Sequence, residues 1–315
     1  MPEHDLDGRR ILVTGGTGFV GRHLLRTLAE AASCRIRVLT RGGKVEDLPA
    51  PARPVSELVT GDLLTPHTLD GICDGVDAIL HLAAPARDAT GDGPAPDIRL
   101  ALRAAEDGVR RLVFLSSATV ADPAIVSPSL LAAQLAEEAL LELGARSRLE
   151  IVILRPCLVA GEGQRGGPLL TLFRLCRRGL FPLFGGRGDA RRPMVDVEDV
   201  AQALILAATQ GRAGAVYPVT SGVHHTLADL LEAAGALVGN RRPYLSLPGA
   251  VGRGWLAAAR TLRYPPSDGL AELLLGDRKL DIEVSRRELG YRPHYRDLRA
   301  MLARTYAWYG MSGQL

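Results

Sequence analysis

Residues 10–31 read RILVTGGTGFVGRHLLRTLAEA. Arg10–Thr14 is a short apolar run of the kind a buried strand requires. The next seven residues place Gly15, Gly18 and Gly21 at G-x-x-G-x-x-G spacing, and RHLLRTLAEA then carries leucines at helical intervals. A strand that passes through such glycines into a helix predicts the first βα turn of a dinucleotide-binding sheet. The glycines close the turn, bring backbone N–H groups against a pyrophosphate and let helix and strand approach, while the helix N-terminus adds partial positive charge. A turn that is merely tight does not need three glycines.

The chain beyond repeats this rhythm. Arg35–Thr40 (RIRVLT), Val76–Leu82 (VDAILHL), Arg111–Ser116 (RLVFLS) and Glu150–Leu154 (EIVIL) are apolar runs with helical stretches between them. Strands alternating with helices predict an α/β fold with a Rossmann-type, doubly wound parallel sheet, and continuous apolar runs fit strands covered on both faces. After about residue 160 the pattern loosens into Gly/Pro-rich loops such as GEGQRGGP and LFGGRGDARRP. The expected division is a dinucleotide-binding domain over 1–160 and a mainly substrate-binding lobe over 161–315, with a segment at about 187–220 returning to the sheet.

Composition narrows the function classes. Of 315 residues, 47% are hydrophobic and 23% charged, with a net charge of only +3 and basic residues spread along the chain. That distribution argues against nucleic acid as a partner. The four cysteines lack CxxC or metal-ligand spacing, so no metal site is expected. The polar start MPEHDLDGRR does not read as a signal peptide, and no apolar stretch reaches the ~18 residues of a membrane span. The expectation is a cytoplasmic protein acting on a small molecule.

TGGTGFVG (14–21) is followed in order by GDLLTP (61–66), HLAA (81–84), LSSATV (115–120), LRPCLVAG (154–161), RRPMVDVEDVA (191–201) and SRRELGYRP (285–293). Together these motifs resemble the extended short-chain dehydrogenase/reductases, the NAD(P)-dependent epimerase/dehydratase family, over nearly the whole chain. The resemblance implies cofactor contacts from Gly15, Thr17, Gly18, Phe19, Val20 and Gly21. It places Asp62 and Leu63 at the adenine, Leu82, Ala83 and Ala84 near the ribose, and Ser116 and Pro156 further along the cofactor. An NAD enzyme usually ends its second strand with an acidic residue for the ribose 2′-hydroxyl. Here that strand ends Thr40–Arg41, and Arg22 follows the last glycine. Guanidinium groups suit a 2′-phosphate, so NADP is favoured over NAD. Both arginines are otherwise read as solvated.

The chemistry departs from the family pattern. Its active members combine a Ser or Thr with Tyr-x-x-x-Lys on one helix, the lysine lowering the tyrosine pKa so that the phenol can exchange a proton. Ser117 matches the serine. The following stretch SPSLLAAQLAEEAL (127–140) offers Leu130 and Gln134 in place of the pair, or Ser129 and Ala133 one register earlier. No tyrosine precedes Tyr217, and the only lysines are Lys44 and Lys279. Ala121 replaces a usual tyrosine, Ala118–Thr119 the Asp-Glu pair of sugar-nucleotide dehydratases, and Leu158 an asparagine that often holds a sugar nucleotide. A 4,6-dehydratase is therefore excluded on this reading, and a nucleotide sugar is disfavoured.

Ser117, Thr119 and Gln134 remain as candidate catalytic groups, the two hydroxyls being equally suited to bonding backbone or nicotinamide. Arg192 matches an arginine that grips substrate phosphate in the family, or forms a loop salt bridge with Asp189 or Asp196; Leu158 sits on the same substrate side. Glu137 and Glu138 read as solvated, Asp199 as a helix cap, and Cys157, His81 and Tyr217 as packing residues. Three functions stay open: an NAD(P)-dependent oxidoreductase or epimerase-like enzyme, a non-redox isomerase, lyase or cyclase reusing the cleft, and a non-catalytic NADP-binding sensor. The helices expected at 97–107 and 129–143 would form a homodimer interface in the family, and intramolecular packing suits them equally.

Overall fold

The structure is a computed structural model and describes residues 6–31, 33–83, 95–122, 127–185, 187–248, 251, 273–274 and 277–315. Ala84, expected near the ribose, lies outside them. The first half alternates β1 (Arg10–Thr14), α1 (Phe19–Ala31), β2 (Arg35–Thr40), β3 (Ser56–Thr60), β4 (Ala78–His81), α2 (Pro96–Glu106), β5 (Arg111–Leu115), α3 (Pro128–Arg146) and β6 (Glu150–Pro156). The second half contains β7 (Leu158–Ala160), α4 (Pro168–Arg178), β8 (Phe181–Phe184), β9 (Met194–Asp196), α5 (Val197–Gln210), β10 (Val216–Val219), α6 (Leu227–Val238) and β11 (Tyr244–Leu247). The last described helices are α7 (Glu283–Leu289) and α8 (Leu298–Met311).

Seven parallel strands form one sheet in the order β10-β6-β5-β4-β1-β2-β3. The Rossmann-type, doubly wound sheet is thus present, and its order reverses between β1 and β4. In β1 the reason for the continuous apolar run is visible residue by residue. Ile11 and Val13 enter the cluster shared with Leu24, Leu25 and Leu28 of α1 and Val200 and Leu204 of α5. Leu12 enters the opposite cluster with Leu100 of α2 and Leu140 of α3. Successive strand side chains point to opposite faces, so a strand covered on both sides must be apolar throughout. A separate cluster joins Leu158, Leu169, Phe173, Met194, Leu230, Met301 and Tyr309 around the short pairs β7–β9 and β8–β11.

Local chemistry sets the helix ends. Ser127 accepts from the Leu130 N–H and Pro128 occupies the first turn, a position where its missing donor costs nothing. On α5 the cap is Asp196, whose carboxylate accepts from the Glu198 N–H; the sequence expectation had placed that role on Asp199. Asp199 instead accepts the backbone N–H groups of His294 and Tyr295 and ties the C-terminal segment to the sheet half. Glu137 also differs from expectation. It is only 2% exposed and pairs with Arg155 of β6, because it faces the sheet while Glu138 faces out.

Helix α7 lies along β10 at one margin of the sheet. Ser285 Oγ donates to the Pro218 carbonyl at 2.6 Å, Tyr217 Oη donates to Glu288 at 2.9 Å, and Tyr291 Oη donates to the Thr220 carbonyl at 3.0 Å. None of the described helices is long and apolar enough to cross a membrane.

Candidate active site

A cleft of about 730 Å³ opens where the C-terminal ends of β1, β2, β3 and β4 meet. Ligands of open parallel sheets bind at this reversal of strand order. Its floor is the glycine turn, and two glycines there are fixed by space. Gly15 has φ +71°, and a Cβ on it would stand 2.8 Å from the Ala83 N. A Cβ on Gly21 would stand 2.2 Å from the Gly15 carbonyl oxygen. The cradle is therefore closed to any side chain and presents backbone to whatever occupies it. Thr14, Gly15, Thr17 and Gly18 line it on one side, and Leu82 and Ala83 on the other. Phe19 and Val20 start α1 behind this wall, with the Phe19 ring edge-on to His23 at 6.0 Å.

At the other end the cleft is lined by Arg22, Arg41, Asp62 and Leu63, all anticipated, and by Asp47 and Arg165, which were not. Asp62 closes its own turn, accepting from the Leu64 N–H at 3.0 Å while its N–H is met by neither sheet neighbour but by Thr68 Oγ1 at 2.8 Å. Asp47 is engaged as well: its Oδ2 accepts from the Lys44 N–H at 2.8 Å. Arg22 is exposed and uses one N–H on the Thr17 carbonyl, and Arg41 and Arg165 are also exposed. The only sequence signal for Arg165 was its place between glycines in GEGQRGGP.

Beyond β5 the chain makes a 3₁₀ turn, Ala118–Ala121, capped by Ser117. Ser117 Oγ accepts from the Thr119 N–H at 3.2 Å and donates to Thr119 Oγ1 at 3.0 Å. Thr119 is 4% exposed, and its Oγ1 also receives Arg278 Nη1 at 3.4 Å. Ser116 Oγ is buried without a hydrogen bond among the described residues. Pro156 ends β6 one strand over.

The other expected site residues are committed elsewhere. Gln134 is exposed and donates to Glu138 at 3.2 Å one turn along α3. Leu158 is 5% exposed and packs in the separate apolar cluster around β7–β9 and β8–β11. Arg192 is 3% exposed and donates to the Leu273 carbonyl at 2.9 Å and the Arg191 carbonyl at 3.0 Å, where the sequence suggested a grip on substrate phosphate or a salt bridge with Asp189 or Asp196. His81 is fully buried at the end of β4, between Thr14 and Asp97. The turn therefore offers hydroxyls and a guanidinium.

A model described as the NAD dependent epimerase/dehydratase family matches residues 11–220, about two thirds of the chain. A ceramide reductase of Caulobacter vibrioides is 32% identical over 200 residues, which are 62% of this chain and 59% of that protein. A UDP-glucose 4-epimerase of Vibrio cholerae is 24% identical over 90% of this chain and 91% of its own length. Among solved structures, the Bordetella bronchiseptica enzyme WbmF in complex with NAD+ and UDP superposes with a TM-score of 0.72 at 23% identity, covering 98% of this chain and 94% of its own.

Proposed function

The chain belongs to the NAD dependent epimerase/dehydratase family, and on that premise we propose that it is an NADP-dependent oxidoreductase interconverting a hydroxyl and a carbonyl on a small molecule, without a Tyr–Lys pair. One observation carries the reading: Arg22 and Arg41 both line the glycine-turn cleft at the end of β2, where an acidic residue would otherwise meet a 2′-hydroxyl. Two exposed guanidinium groups suit a 2′-phosphate. The two acidic residues nearby are each engaged, Asp47 by the Lys44 N–H and Asp62 by the Leu64 N–H. The name of the Caulobacter relative, a reductase, agrees with carbonyl chemistry.

When bound, the nicotinamide supplies or receives the hydride. The chain's own part is to hold the pyrophosphate over Gly15 and Gly18, and to present Ser117 to the reacting oxygen. A serine hydroxyl can orient and hydrogen-bond that oxygen, and protons then pass through Ser117, water or the substrate itself. Leu158, packed where a nucleotide-holding asparagine would stand, favours a substrate other than a nucleotide sugar.

The test is titration of the purified protein with NADPH, NADP+, NADH and NAD+, followed by cofactor fluorescence and calorimetry. The expected result is binding of the NADP forms at least tenfold tighter than the NAD forms. Equal binding removes the NADP preference. Binding of no form overturns the oxidoreductase reading and leaves a cleft turned to non-redox use.

A further inference from the structure

On α3 the position of the missing lysine is Gln134, and its side-chain amide is taken by Glu138. A positive charge nevertheless reaches the Ser117–Thr119 turn, from a residue 159 positions away. We propose that Arg278 is a positioning residue of the active site, which polarises the Thr119–Ser117 hydroxyl pair from the C-terminal segment in place of a helix lysine. The inference rests on the reading of this turn as the reacting end of the cofactor cleft.

The geometry is that of a held guanidinium. Arg278 Nε donates to Asp122 Oδ2 at 2.7 Å, with the two side chains only 9% and 8% exposed. That bond fixes the plane of the fork and turns Nη1 toward Thr119 Oγ1 at 3.4 Å. The backbone is held too: the Arg278 N–H donates to the Arg191 carbonyl at 3.3 Å, and the preceding Asp277 pairs with the Arg191 side chain. Ser117 Oγ stands 3.0 Å from Thr119 Oγ1. A substrate oxygen that needs a donor is met by rotation of two hydroxyl hydrogens, after which Arg278 donates to Thr119, Thr119 to Ser117 and Ser117 to the substrate. Each bond in such a chain strengthens the next, and the strengthening is larger in a buried, low-dielectric place. The guanidinium stays charged across the accessible pH range, so this charge, unlike that of a lysine, does not titrate away.

The neighbouring charges do not compete for the turn. Glu137 of α3 is paired with Arg155 of β6, and Glu138 with the Gln134 amide. Arg192 is directed to backbone carbonyls at Leu273 and Arg191. Asp122 carries an opposite charge bonded to Arg278 in the turn, so its removal and that of Arg278 must act in opposite directions.

The experiment places a reporter thiol at the turn with Ser117→Cys and measures its pKa from the pH dependence of iodoacetamide alkylation. The four native cysteines are buried, and burial pushes the Cys73 and Cys176 thiols up to about 12, so wild type gives the background. The introduced thiol is expected below the ~8.5 of a free cysteine. Adding Arg278→Met should raise it by about one unit, a tenfold loss of thiolate at fixed pH, while Arg278→Lys should hold it. Adding Asp122→Asn should lower it. An unmoved thiol in Arg278→Met, or a shift of the same sign in Arg278→Met and Asp122→Asn, overturns the proposal. If Arg278→Met fails to fold, Arg278→Gln, which keeps a donor for Asp122 but not the charge, takes its place with the same expected rise, and an unmoved thiol there overturns the proposal. NADPH titration of the same variants separates the two readings: thiol shifts without cofactor binding sink the proposed function alone, and cofactor binding without thiol shifts sinks the role of Arg278 alone.

Discussion

His81 Nε2 lies 2.8 Å from Asp97 Oδ1, and neither side chain is more than 2% exposed. The other ring nitrogen bonds Thr14 Oγ1, which also receives the Ala83 N–H at 3.3 Å. The three residues stand at the ends of β1 and β4 and the start of α2, so one buried polar chain holds the wall of the cleft to the point where the strand order reverses. Asp97→Ala leaves a buried ring nitrogen without its partner, and should lower stability by about 1–3 kcal/mol. Asp97→Asn keeps an acceptor and should lose less. Urea unfolding of the two variants checks the order.

Arg22→Ala and Arg41→Ala should each weaken NADPH binding by about tenfold, the ~1.4 kcal/mol of one exposed charge-assisted contact, and leave NADH binding nearly unchanged. Fluorescence titration of both cofactors with each variant decides it. Equal losses for NADPH and NADH would mean that these arginines support the cleft without reading the 2′-phosphate.

Glu198 predicts the acid limb of stability. Burial pushes its carboxyl up, but the bonds from His23 and Arg26 outweigh this and hold it at about 2, against an ordinary value of 4.5. A carboxyl lowered on folding contributes stability that is complete above its unfolded value and is lost as pH falls through the folded one. Urea midpoints should therefore fall between pH 4.5 and about 2. Glu198→Gln should flatten that limb, and an unchanged slope in the variant would assign it to other groups.

Leu131 and Leu135 lie one turn apart on α3 and are 55% and 56% exposed, larger apolar surface than a solvated helix face needs. The expected state is a homodimer closed over this face. Sedimentation velocity should show a dimer for wild type and a monomer for Leu131→Glu combined with Leu135→Glu. A wild-type monomer would return these leucines to the plain surface of one chain.

What the sequence revealed follows from the range of each interaction. β1 and β2 were read at their true bounds because both faces are covered and the apolar run ends where the strand does. Val76 and Leu82 were read into β4 since they are apolar, yet the strand runs only from Ala78 to His81, with Leu82 adding one backbone bond to the Thr14 carbonyl just past its end. β3, SELVT, escaped notice because it is half exposed and carries Glu57, which bonds Arg37. Ser117 and Thr119 were legible from a local motif. Arg278 was not, as nothing near residue 278 announces a contact with residue 119. Glu137 and Glu138 are alike in sequence, and only the packing of α3 on β6 separates the buried one from the solvated one.

The way α7 lies along β10 has a consequence for the molecule among its own copies. A strand at the margin of a sheet offers open backbone groups to any second strand, and a chain at high concentration can polymerise through them. In β10, Pro218 has no N–H to offer and its carbonyl is already met by Ser285. Tyr217 and Tyr291 hold the covering segment in place. The segment from Glu283 to Tyr291 thus serves as a guard against strand-to-strand aggregation, and a chain cut before it would expose a sticky margin however intact its cofactor cleft remained.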